Sequence, residues 1–546
     1  MSTTSAAANP ASQPFGGTPF DITADLDTPV SAFLKLRPFR PRFLLESVEG
    51  GERVARYSFI GFGDCLEVRL DASGLTVDGV TGPAPATQAE LLDALRAALK
   101  QAPRPLPEVP GVPLAGGLVG FSAYDLVRRF ERLPARKDAM TVPEGCWVAP
   151  QSFLVFDHVT RGMALLHAGP EEERQALRKE IIRALRGGLN TGRPLAKVSP
   201  PTASLSKPEF LEGVAKVKER IAAGDVYQLV LSVRFAGKHT VDPFEAYRAL
   251  RLINPSPYMF YLDIAGLQVV GSSPEALVKL QDGRAQLRPI AGTRPRGADV
   301  ASDLEHETSL LADVKENAEH VMLVDLARND LGRVAAAGTV GVAPYRVIER
   351  YSHVMHIVSG VNGQLAAGKD AFDLFAATFP AGTLVGAPKV KAMEIIDQLE
   401  PVRRGLYGGT VGVAPYRVIE RYSHVMHIVS GVNGQLAAGK DAFDLFAATF
   451  PAGTLVGAPK VKAMEIIDQL EPVRRGLYGG TVGYFGETGD MDQAITIRSL
   501  VFQGDQYTYQ AGAGIVADSD PEAEYAEVLA KSAALRRALQ LAEEGL

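Results

Sequence analysis

The sequence predicts an α+β fold in two regions, and three observations lead to that prediction. Between residues 22 and 165, short apolar runs such as "RYSFIGFG" and "SFLVFDHV" alternate with turn residues, which is typical of successive β-strands. From residue 206 onwards, strand-like and helical patterns alternate up to a C-terminal helix, "PEAEYAEVLAKSAALRRALQLAEEGL". Within this second region, residues 339–409 are repeated without a single change as residues 410–480.

Shifts in composition predict the boundaries of these regions. Residues 1–21 are small and polar and lack the basic and apolar segments of a signal peptide, so we expect a disordered tail. The N-terminal region, 22–190, ends in the amphipathic helix "EEERQALRKEIIRALRGG". Residues 191–205 contain prolines and no apolar periodicity, which indicates a linker before the larger region, 206–546.

The larger region opens with "SKPEFLEGVAKVKERIAAGDVYQLVLSVRF". Ser206 is a suitable N-cap for a helix because its hydroxyl can accept a hydrogen bond from a free backbone N–H. Gly224 is typical of a helix end, and the apolar run after it predicts a strand.

Composition excludes several classes of protein. Hydrophobic residues make up 46% of the 546 residues and charged residues 22%, as in ordinary globular proteins. A formal net charge of −6 gives no general basis for binding nucleic acid. Cys65 and Cys146 are the only cysteines, which argues against a disulfide framework or a cysteine-rich metal site. No apolar run has the length of a membrane span, and we expect a cytoplasmic protein.

The repeated segment indicates a tandem duplication inside one fold. Solenoid architectures need about three or more units, and their repeats usually diverge, whereas these two are identical. The only non-native junction lies near residues 409–413, where "LYGG" meets "TVGVAP". One fold can therefore use copy one (339–409), use copy two (410–480), or cross from one to the other.

Two predicted helices carry carboxylates on one face. Glu316 and Glu319 are three residues apart in "DVKENAEHVMLVDLARNDLGR", and Glu524, Glu527 and Lys531 have the same kind of spacing in the C-terminal helix. Such pairs can form solvated surfaces. If the two helices converge, they can instead hold a hard cation such as Mg²⁺, which prefers oxygen ligands.

Three further motifs combine glycines with polar residues. Gly512 and Gly514 in "QAGAGIVADSDPEAEY" leave backbone N–H groups open to a carboxylate or phosphate. Arg498 in "AITIRSL" is suited to pair with a carboxylate through two hydrogen bonds. Gly292 and Thr293 in "RPIAGTRPRG" occupy a predicted strand end. Taken separately, each of these motifs is more often structural than functional.

Six motifs in a fixed order carry a resemblance: "GSSPE", "PIAGTRPRG", "KENAEHVMLVDLARND", "FPAGTLVGAPK", "YGGTVGYF" and "QAGAGIVADSDPEAEY". Together they resemble the chorismate-utilising enzymes from about residue 25 onwards, and among these the branch of anthranilate synthase component I. The resemblance implies large antiparallel sheets flanked by helices, with an intertwined N-terminal regulatory region, and a chorismate-binding catalytic domain at 206–546.

The resemblance also implies roles for the site residues. Mg²⁺ would have Glu319 and Glu527 as direct ligands, with Glu316 and Glu524 nearby through water. Glu275 would be the general acid for the departing hydroxyl, which requires a raised pKa. The residues implied at the substrate are Gly292, Thr293, Tyr478, Arg498, Gly512, Ala513, Gly514 and Lys531.

The duplication offers two versions of three implied site positions, which are His356 or His427, Thr383 or Thr454, and Tyr407 or Tyr478. We expect copy two to form the site and 339–409 to be extruded, because "YGGTVGYF" connects Tyr478 to the segment before Arg498. The insertion would then follow "RVAAAG", a small-residue loop where insertions are tolerated. A crossing within "NGQLAAGKD", which would combine His356 with Thr454, is the main alternative.

Two positions separate the branches of the family. Gln228 stands where isochorismate-forming relatives carry a Lys that activates water, and Ala291 stands where aminodeoxychorismate synthases carry a Lys. Both favour Mg²⁺-dependent formation of anthranilate and pyruvate from chorismate and ammonia, through 2-amino-2-deoxyisochorismate. Aminodeoxychorismate synthase component I remains the alternative.

The resemblance also implies an inhibitor and a partner. Ser47 in "LLES" and Pro257, Tyr258 and Met259 in "NPSPYM" match a tryptophan feedback pocket. The chain has no glutamine-hydrolysing cysteine motif, so a glutamine amidotransferase subunit would supply the ammonia. A rival interpretation is a tryptophan-binding or subunit-binding protein whose active site is broken by the duplication.

Overall fold

The structure is a computed structural model, and the part of the chain that it describes consists of residues 19–47, 56–130, 142–189, 196–281, 284–288, 290–295, 300–332, 335–336, 338–343, 345, 347–350, 354–358, 360–364, 431–435, 441–447, 449–452, 455–458 and 460–545.

The N-terminal region is mainly β-structure. Its strands are β1 (Ile22–Thr23), β2 (Pro41–Glu46), β3 (Tyr57–Asp71), β4 (Gly74–Val77), β5 (Val80–Gly82), β6 (Gly117–Ser122), β7 (Gly145–Asp157) and β8 (Gly162–His167). Its helices are α1 (Pro29–Lys35), α2 (Gln88–Gln101) and α3 (Glu171–Leu185), with 3-10 turns at Arg37–Phe39 and Tyr124–Arg129.

The C-terminal region alternates strands and helices. Up to the first copy of the repeat, its elements are β9 (Thr202–Ala203), α4 (Lys207–Ala222), β10 (Gln228–Lys238), α5 (Pro243–Ile253), β11 (Tyr258–Ile264), β12 (Leu267–Ser273), β13 (Ala276–Gln281), β14 (Arg284–Arg288), β15 (Ile290–Pro295), α6 (Val300–Ala312) and α7 (Val314–Gly332).

The two copies and the C-terminus supply the remaining described elements. These are β16 (Gly341–Val342), β17 (Val347–Arg350), β18 (Val354–Val358), β19 (Gly360–Gln364), β20 (Gly431–Gln435), α8 (Ala442–Ala447), β21 (Gly457–Ala458), α9 (Lys460–Leu470), β22 (Thr481–Gly486), β23 (Met491–Ile495), β24 (Ser499–Gln503), β25 (Gln506–Ile515) and α10 (Pro521–Glu544).

The predicted N-cap at Ser206 and helix end at Gly224 are confirmed. The Ser206 hydroxyl accepts the N–H of Glu209, and the Glu209 carboxylate accepts the N–H of Ser206, so α4 begins with a capping box. Gly224 follows the helix with φ of +79°, a conformation that glycine adopts without steric cost. β10 follows as predicted, and it becomes a central strand of the sheet.

Antiparallel pairing joins both regions into one large sheet, and the predicted fold class is confirmed. On the C-terminal side, β10 pairs with β25 over its whole length, β25 with β24, and β24 with β12. β12 pairs with β11, which pairs in turn with β2 from the N-terminal region. A second junction pairs β6 with β22. The N-terminal region is therefore intertwined with the C-terminal region through backbone hydrogen bonds.

Aromatic packing strengthens the same junction. Phe33 of α1 stacks on Phe244 of α5 with 4.4 Å between the ring centroids, and both rings are almost fully buried. Burying such rings stabilises a fold by roughly 1.5–3 kcal/mol each. Among the helices that the structure describes, none has both the length and the apolar character needed to span a bilayer.

The segment predicted as a linker is partly structured. Ser199 N–H donates to the carbonyl of Lys238 over 2.9 Å, and Ser204 N–H donates to that of Arg234 over 2.7 Å. Residues 196–205 therefore lie along β10, because that strand has an edge open to hydrogen bonding. The end of the predicted tail is also placed: Phe20 stacks near Tyr57, with 6.2 Å between centroids, and residues 1–18 lie outside the described part.

The expectation that all of 339–409 is extruded is wrong for its first part. β16 and β19 of copy one belong to the large sheet, where β19 pairs with β14. β17 and β18 form a small sheet with β15. The physical reason is that antiparallel pairing with β14 and β15 satisfies backbone N–H and C=O groups that an extruded segment would leave to solvent, although α6 and α7 separate β15 from β16 in the chain.

Copy two supplies the later elements of the repeat. α8 packs on α2, where Arg96 donates two hydrogen bonds to Asp441 at the start of α8. Phe443 of α8 stacks on Phe485 with centroids 4.0 Å apart, and α9 packs on β10. The described part of the chain thus includes strands of copy one between 341 and 364 and, from copy two, both β20 and the elements between 441 and 480. Elements of both copies are therefore present in the fold, as in the alternative in which the chain crosses from one copy to the other.

Candidate active site

Two glycines on β25 form a cradle. A methyl group added at Gly512 would stand 2.9 Å from the Tyr478 hydroxyl, and one at Gly514 would stand 2.8 Å from the Gln228 amide nitrogen. Both separations are below van der Waals contact, so these positions require glycine as long as their neighbours stay in place. The glycines therefore allow the side chains of Tyr478 and Gln228 to lie directly against the backbone of β25.

Ala513 lies between the two glycines and is fully buried. Because side chains alternate along a strand, its methyl group is directed to the opposite face. Ala513 therefore contributes only its backbone atoms to the cradle. The sequence-predicted triplet "GAG" is thus explained by one buried methyl group flanked by two open positions.

Lys531 and Arg498 lie beside the cradle. Lys531 Nζ donates to the carbonyl oxygen of Gly512 over 3.1 Å and forms an ion pair with Glu527, one helical turn earlier on α10. Arg498 Nη1 donates to the carbonyl oxygen of Lys531 over 3.3 Å. Arg498 is 5% exposed and has φ of +51°, so its backbone is held in the left-handed region. The structure therefore brings together Tyr478, Arg498, Lys531 and the glycine cradle.

The predicted metal ligands are described on one helix only. The N-cap Asp520 accepts the N–H of Ala523 over 2.8 Å and starts α10. One turn further Glu524 is 9% exposed, and the Glu527 side chain is 45% exposed. Carboxylate oxygens fit Mg²⁺, and a buried carboxylate such as Glu524 favours a nearby cation.

On the second helix, α7, the side chains of Glu316 and Glu319 lie outside the described part. Among the side chains that are described, no group of three potential ligands gathers. The convergence of the two helices on one cation therefore stays a prediction.

The pairing of β15 with β18 contains a β-bulge at predicted site residues. The register shifts so that Gly292 and Thr293 together oppose the single residue His356. Bulges commonly re-aim side chains next to active sites. His356 belongs to copy one, and its counterpart His427 lies outside the described residues, as do the side chains of all three residues at the bulge.

Glu275 lies in the short connection between β12 and β13. Its carbonyl oxygen accepts the N–H of Ile495 over 3.0 Å, and its N–H donates to the Ser273 hydroxyl over 3.4 Å. The neighbouring Ser272 donates its N–H to the carbonyl of Arg498 over 3.2 Å. Glu275, the predicted general acid, therefore lies just after the end of β12, where Ser272 contacts Arg498. The Glu275 residue is partly buried.

Copy two places the "FPAGTLVGAPK" motif against β10. β21 pairs with Gln228 and Leu229, and the Val230 N–H donates to the carbonyl of Val456 over 2.7 Å. Thr454 comes two residues before Val456 and lies outside the described part, as does Thr383 of copy one.

Sequence reasoning missed a buried ionic network beside the cradle. Glu471 of copy two accepts hydrogen bonds from the N–H and hydroxyl of Ser232 and from the Arg475 guanidinium, with 2.5 Å from Arg475 Nε to Glu471 Oε2. Gln510 Nε2 donates to the Ser232 hydroxyl over 2.7 Å. The spacing of Glu471 and Arg475 in "EPVRR" is that of an i, i+4 helical ion pair, and this was the available signal.

The predicted tryptophan-binding residues meet at the junction of β2 and β11. Met259 is paired with Glu46, which places Ser47 next to Tyr258 and the turn at Pro257. Ser47 is 2% exposed, and its hydroxyl has no hydrogen-bond partner among the described residues. A buried hydroxyl without a partner is costly, and a polar ligand would satisfy it.

A charged group that the sequence did not reveal lies beside these residues. The Glu46 carboxylate accepts a hydrogen bond from Tyr247 over 2.5 Å and two from Arg251 at 3.0 and 3.1 Å. Burial raises the pKa of the Tyr247 hydroxyl well above its ordinary value. The hydroxyl therefore stays protonated and keeps donating to Glu46.

The fold and this arrangement of motifs define a class of protein. The family model for chorismate binding enzymes matches residues 40–417 and again residues 410–537, so the two matches overlap at the junction of the copies. The chain belongs to this family of chorismate-binding enzymes.

Relatives narrow the assignment within that family. Anthranilate synthase component 1 of Thermus thermophilus is 42% identical over 530 residues, which covers 96% of this chain and 97% of the relative. The Pseudomonas aeruginosa protein of the same name is 39% identical, with 96% of each chain covered. The chain therefore belongs to the anthranilate synthase component 1 branch.

Solved structures agree with this fold. The crystal structure of anthranilate synthase component I from Streptococcus pneumoniae has a TM-score of 0.67 at 28% identity and covers 89% of this chain and 93% of its own. The menaquinone-specific isochorismate synthase from Escherichia coli, at 18% identity and a TM-score of 0.60, covers 94% of this chain and 92% of its own and shares the fold.

Proposed function

We propose that this chain converts chorismate and ammonia to anthranilate and pyruvate. The observation that carries the proposal beyond family membership is the contact of Gln228 with the glycine cradle, where the amide nitrogen lies against Gly514. A neutral amide cannot take a proton from water, so a water molecule at this position has no base to activate it. Ammonia needs no such activation, which favours amination over hydration of chorismate.

Substrate binding is proposed to use the cradle. The Tyr478 hydroxyl lies against Gly512, and this hydroxyl and the backbone N–H groups of Gly512 and Gly514 would be the donors to a carboxylate. Arg498 contributes a nearby positive charge that is already almost fully buried. Because Gly512 and Gly514 lie on β25, which is paired with β10, their backbone needs little rearrangement to bind, which lowers the entropic cost of orientation.

The proposed chemistry has two stages. In the first, protonated Glu275 gives its proton to the departing 4-hydroxyl as ammonia adds at C2, which produces 2-amino-2-deoxyisochorismate and water. In the second, the C–O bond of the enolpyruvyl ether breaks, the ring loses its C2 proton, and pyruvate leaves as the ring becomes aromatic. His356, which lies opposite the bulge at Gly292 and Thr293, is proposed to act in this second step.

A bound Mg²⁺ would neutralise the ring carboxylate. Glu319 and Glu527 would hold it directly, with Glu316 and Glu524 nearby through water. Glu527 already attracts the positive charge of Lys531, which supports the proposal that its carboxylate can bind a cation at this end of α10.

Regulation and partners complete the proposal. Tryptophan would bind at Ser47 and the turn of Pro257, Tyr258 and Met259, where an unpartnered hydroxyl is buried. A glutamine amidotransferase subunit would supply ammonia to this cytoplasmic enzyme. The name "component 1" of the relatives supports a second component.

One observation favours a second candidate, a catalytically impaired protein that retains tryptophan or subunit binding. β19 of copy one and β20 of copy two have the same sequence, lie parallel to each other, and both pair with β14. Two identical strands beside one edge are a source of competing pairings. In that case the tryptophan pocket, which lies outside the repeat, would still bind.

Chromatography of the reaction products separates the candidates. The purified chain is incubated with chorismate, ammonium and Mg²⁺, with a parallel sample in excess chelator. We expect anthranilate in the first sample and none in the second. Isochorismate, salicylate or 4-amino-4-deoxychorismate as the main product would overturn the proposal, and unchanged chorismate with intact tryptophan binding would support the second candidate.

A further inference from the structure

A cavity with both apolar and polar walls lies on the same sheet face as the glycine cradle. It has about 70 Å³ of space open to water-sized molecules, and its walls include Arg234, Tyr478, Thr496, Thr508 and Gln510. Thr508, Gln510 and Gly512 are alternate residues of β25, so they share one face of the sheet. We call this space the Arg234 chamber.

Tyr478 separates the chamber from the cradle. Its hydroxyl lies against Gly512 on one side, and the residue also lines the chamber on the other. The Arg475 guanidinium lies over the Tyr478 ring at 5.6 Å from its centroid and is bonded to Glu471. The two spaces are therefore separated by the Tyr478 side chain, and the Arg475–Glu471 ion pair packs against this ring.

Arg234 gives the chamber a positive charge without a carboxylate partner among the described residues. Arg234 Nη1 donates to the carbonyl oxygen of Arg474 over 3.2 Å, and no ion pair joins Arg234 to a described acidic residue. Burial lowers the pKa of Arg234, with no opposing acidic group. A mostly buried guanidinium of this kind is stabilised when an anion binds to it.

Two buried polar atoms in the chamber wall are also unsatisfied. The Thr496 hydroxyl and the Gln510 Oε1 atom have no hydrogen-bond partner among the described residues, although these residues are 1% and 4% exposed. Buried polar atoms in native proteins nearly always have a partner. A hydrated ligand or the ligand itself would provide one.

We propose that the Arg234 chamber binds a small monocarboxylate, and that its occupant is the pyruvate which the proposed reaction eliminates. The size agrees, because 70 Å³ corresponds to about five water positions, and pyruvate has a comparable number of heavy atoms. One guanidinium matches one carboxylate through two parallel hydrogen bonds. The inference rests on the proposed function, since the pyruvyl carboxylate is held at Tyr478 before release.

This placement gives pyruvate a site to enter as it leaves the cradle. The carboxylate moves from Tyr478 and Arg498 to Arg234 on the far side of the same tyrosine. The chamber also reaches the exposed hairpin residue Gln506, so it opens towards solvent. Pyruvate in the chamber would not occupy the cradle and would not compete directly with chorismate.

Calorimetric titration of the full chain with pyruvate tests the proposal. We expect two sites in the unmodified chain and one in Arg234→Gln, with chamber affinity reduced about 10-fold to 100-fold, as for loss of a charge-assisted hydrogen bond. Arg248→Gln is the matched control, because Arg248 is a partly buried arginine bonded to Glu245 on α5. It should retain both sites.

Two further arms keep the result decisive. If Arg234→Gln does not fold, Arg234→Lys keeps the charge without the planar fork and should weaken the chamber site while leaving the other unchanged. Pyruvate inhibition of turnover should be mixed with respect to chorismate in the unmodified chain, because pyruvate binds both the chamber and the cradle, and purely competitive in Arg234→Gln. Equal pyruvate stoichiometry in all variants would overturn the chamber even if anthranilate forms, whereas two sites without turnover would overturn only the proposed function.

Discussion

Ser272 donates its backbone N–H to the backbone carbonyl of Arg498 across 3.2 Å. On one side, the Ser272 hydroxyl accepts a hydrogen bond from Asn254 Nδ2 over 3.1 Å, at the start of the "NPSPYM" turn. On the other, Arg498 has a left-handed backbone and donates to Lys531 beside the glycine cradle. The predicted tryptophan pocket and the predicted substrate site are thus connected through three hydrogen bonds.

The first prediction concerns this connection. Ser272→Ala removes the hydroxyl that holds Asn254 but keeps the backbone bond to Arg498. We expect tryptophan inhibition to weaken by about 5-fold to 100-fold, the range of typical coupling energies, with turnover nearly unchanged. Inhibition curves of anthranilate formation measure it. Ser152→Ala removes a buried serine hydroxyl bonded to His167 and is the control. Unaltered inhibition in Ser272→Ala would show that the hydroxyl carries no coupling.

The second prediction concerns the cradle. Gly512→Ala places a methyl group 2.9 Å from the Leu231 carbonyl oxygen and the Tyr478 hydroxyl, and a backbone atom cannot easily move away. We expect kcat/KM for chorismate to fall about 100-fold, the effect of a misplaced binding group. In Gly514→Ala the added methyl group comes close only to the flexible Gln228 amide, so kcat/KM should fall less than in Gly512→Ala. Gly188→Ala, which has open space around it, is the control. A fully active and folded Gly512→Ala would refute the cradle.

Much of this arrangement was predictable from the residues, and the limits have physical causes. The capping chemistry of Ser206 and Gly224 is local, so it could be read correctly from the sequence. The motif order identified Gly512, Tyr478 and Arg498 as neighbours. The chamber could not be foreseen, because Arg234 and Gln510 become opposite residues only through the β10–β25 register. The choice between copies was also inaccessible, because identical sequences have identical propensities.

The third prediction concerns stability and pH. Burial raises the pKa of Asp492 from 3.8 to about 7, and this effect outweighs the nearby Lys279 charge and the Gln493 backbone N–H, which both lower the pKa. Between these two values the folded state holds a proton that the unfolded state has lost, so the free energy of unfolding falls as pH rises. The total loss is on the order of 4 kcal/mol, and it is complete above about pH 7.

Asp492→Asn removes this titration without changing the shape of the side chain. We expect the variant to be more stable than the unmodified chain at pH 8, with a difference that shrinks towards pH 5. Urea unfolding at several pH values measures it. Asp505→Asn serves as control, since that exposed carboxyl has a pKa lowered by Gln506 and Lys238 and should give no such gain at pH 8. A difference independent of pH would contradict a neutral buried Asp492.

The fourth prediction uses the duplication as its own control. Phe443 of copy two is fully buried against Phe485, so Phe443→Ala should lower the free energy of unfolding by about 3–5 kcal/mol. Phe372→Ala makes the identical change in copy one, at a residue outside the described part, and should cost much less. Denaturant unfolding of both variants decides between the copies. Equal losses would contradict the use of copy two for α8.

A comparison of the equivalent histidines of the two copies tests which copy supplies β18. β18, which pairs with β15, carries His356 of copy one. We expect His356→Ala to lose anthranilate formation and His427→Ala to keep it. The opposite result would show that copy two supplies this strand as well as the helices.

The central claim is that the chain, with its duplication, aminates chorismate and eliminates pyruvate. In the most direct measurement, the chain is incubated with chorismate, ¹⁵N-labelled ammonium and Mg²⁺. Anthranilate is then quantified by mass spectrometry and pyruvate by an enzymatic assay in the same sample. We predict one ¹⁵N atom in each anthranilate molecule and equal amounts of the two products. Chorismate that remains unconsumed, or pyruvate released without labelled anthranilate, would contradict the account.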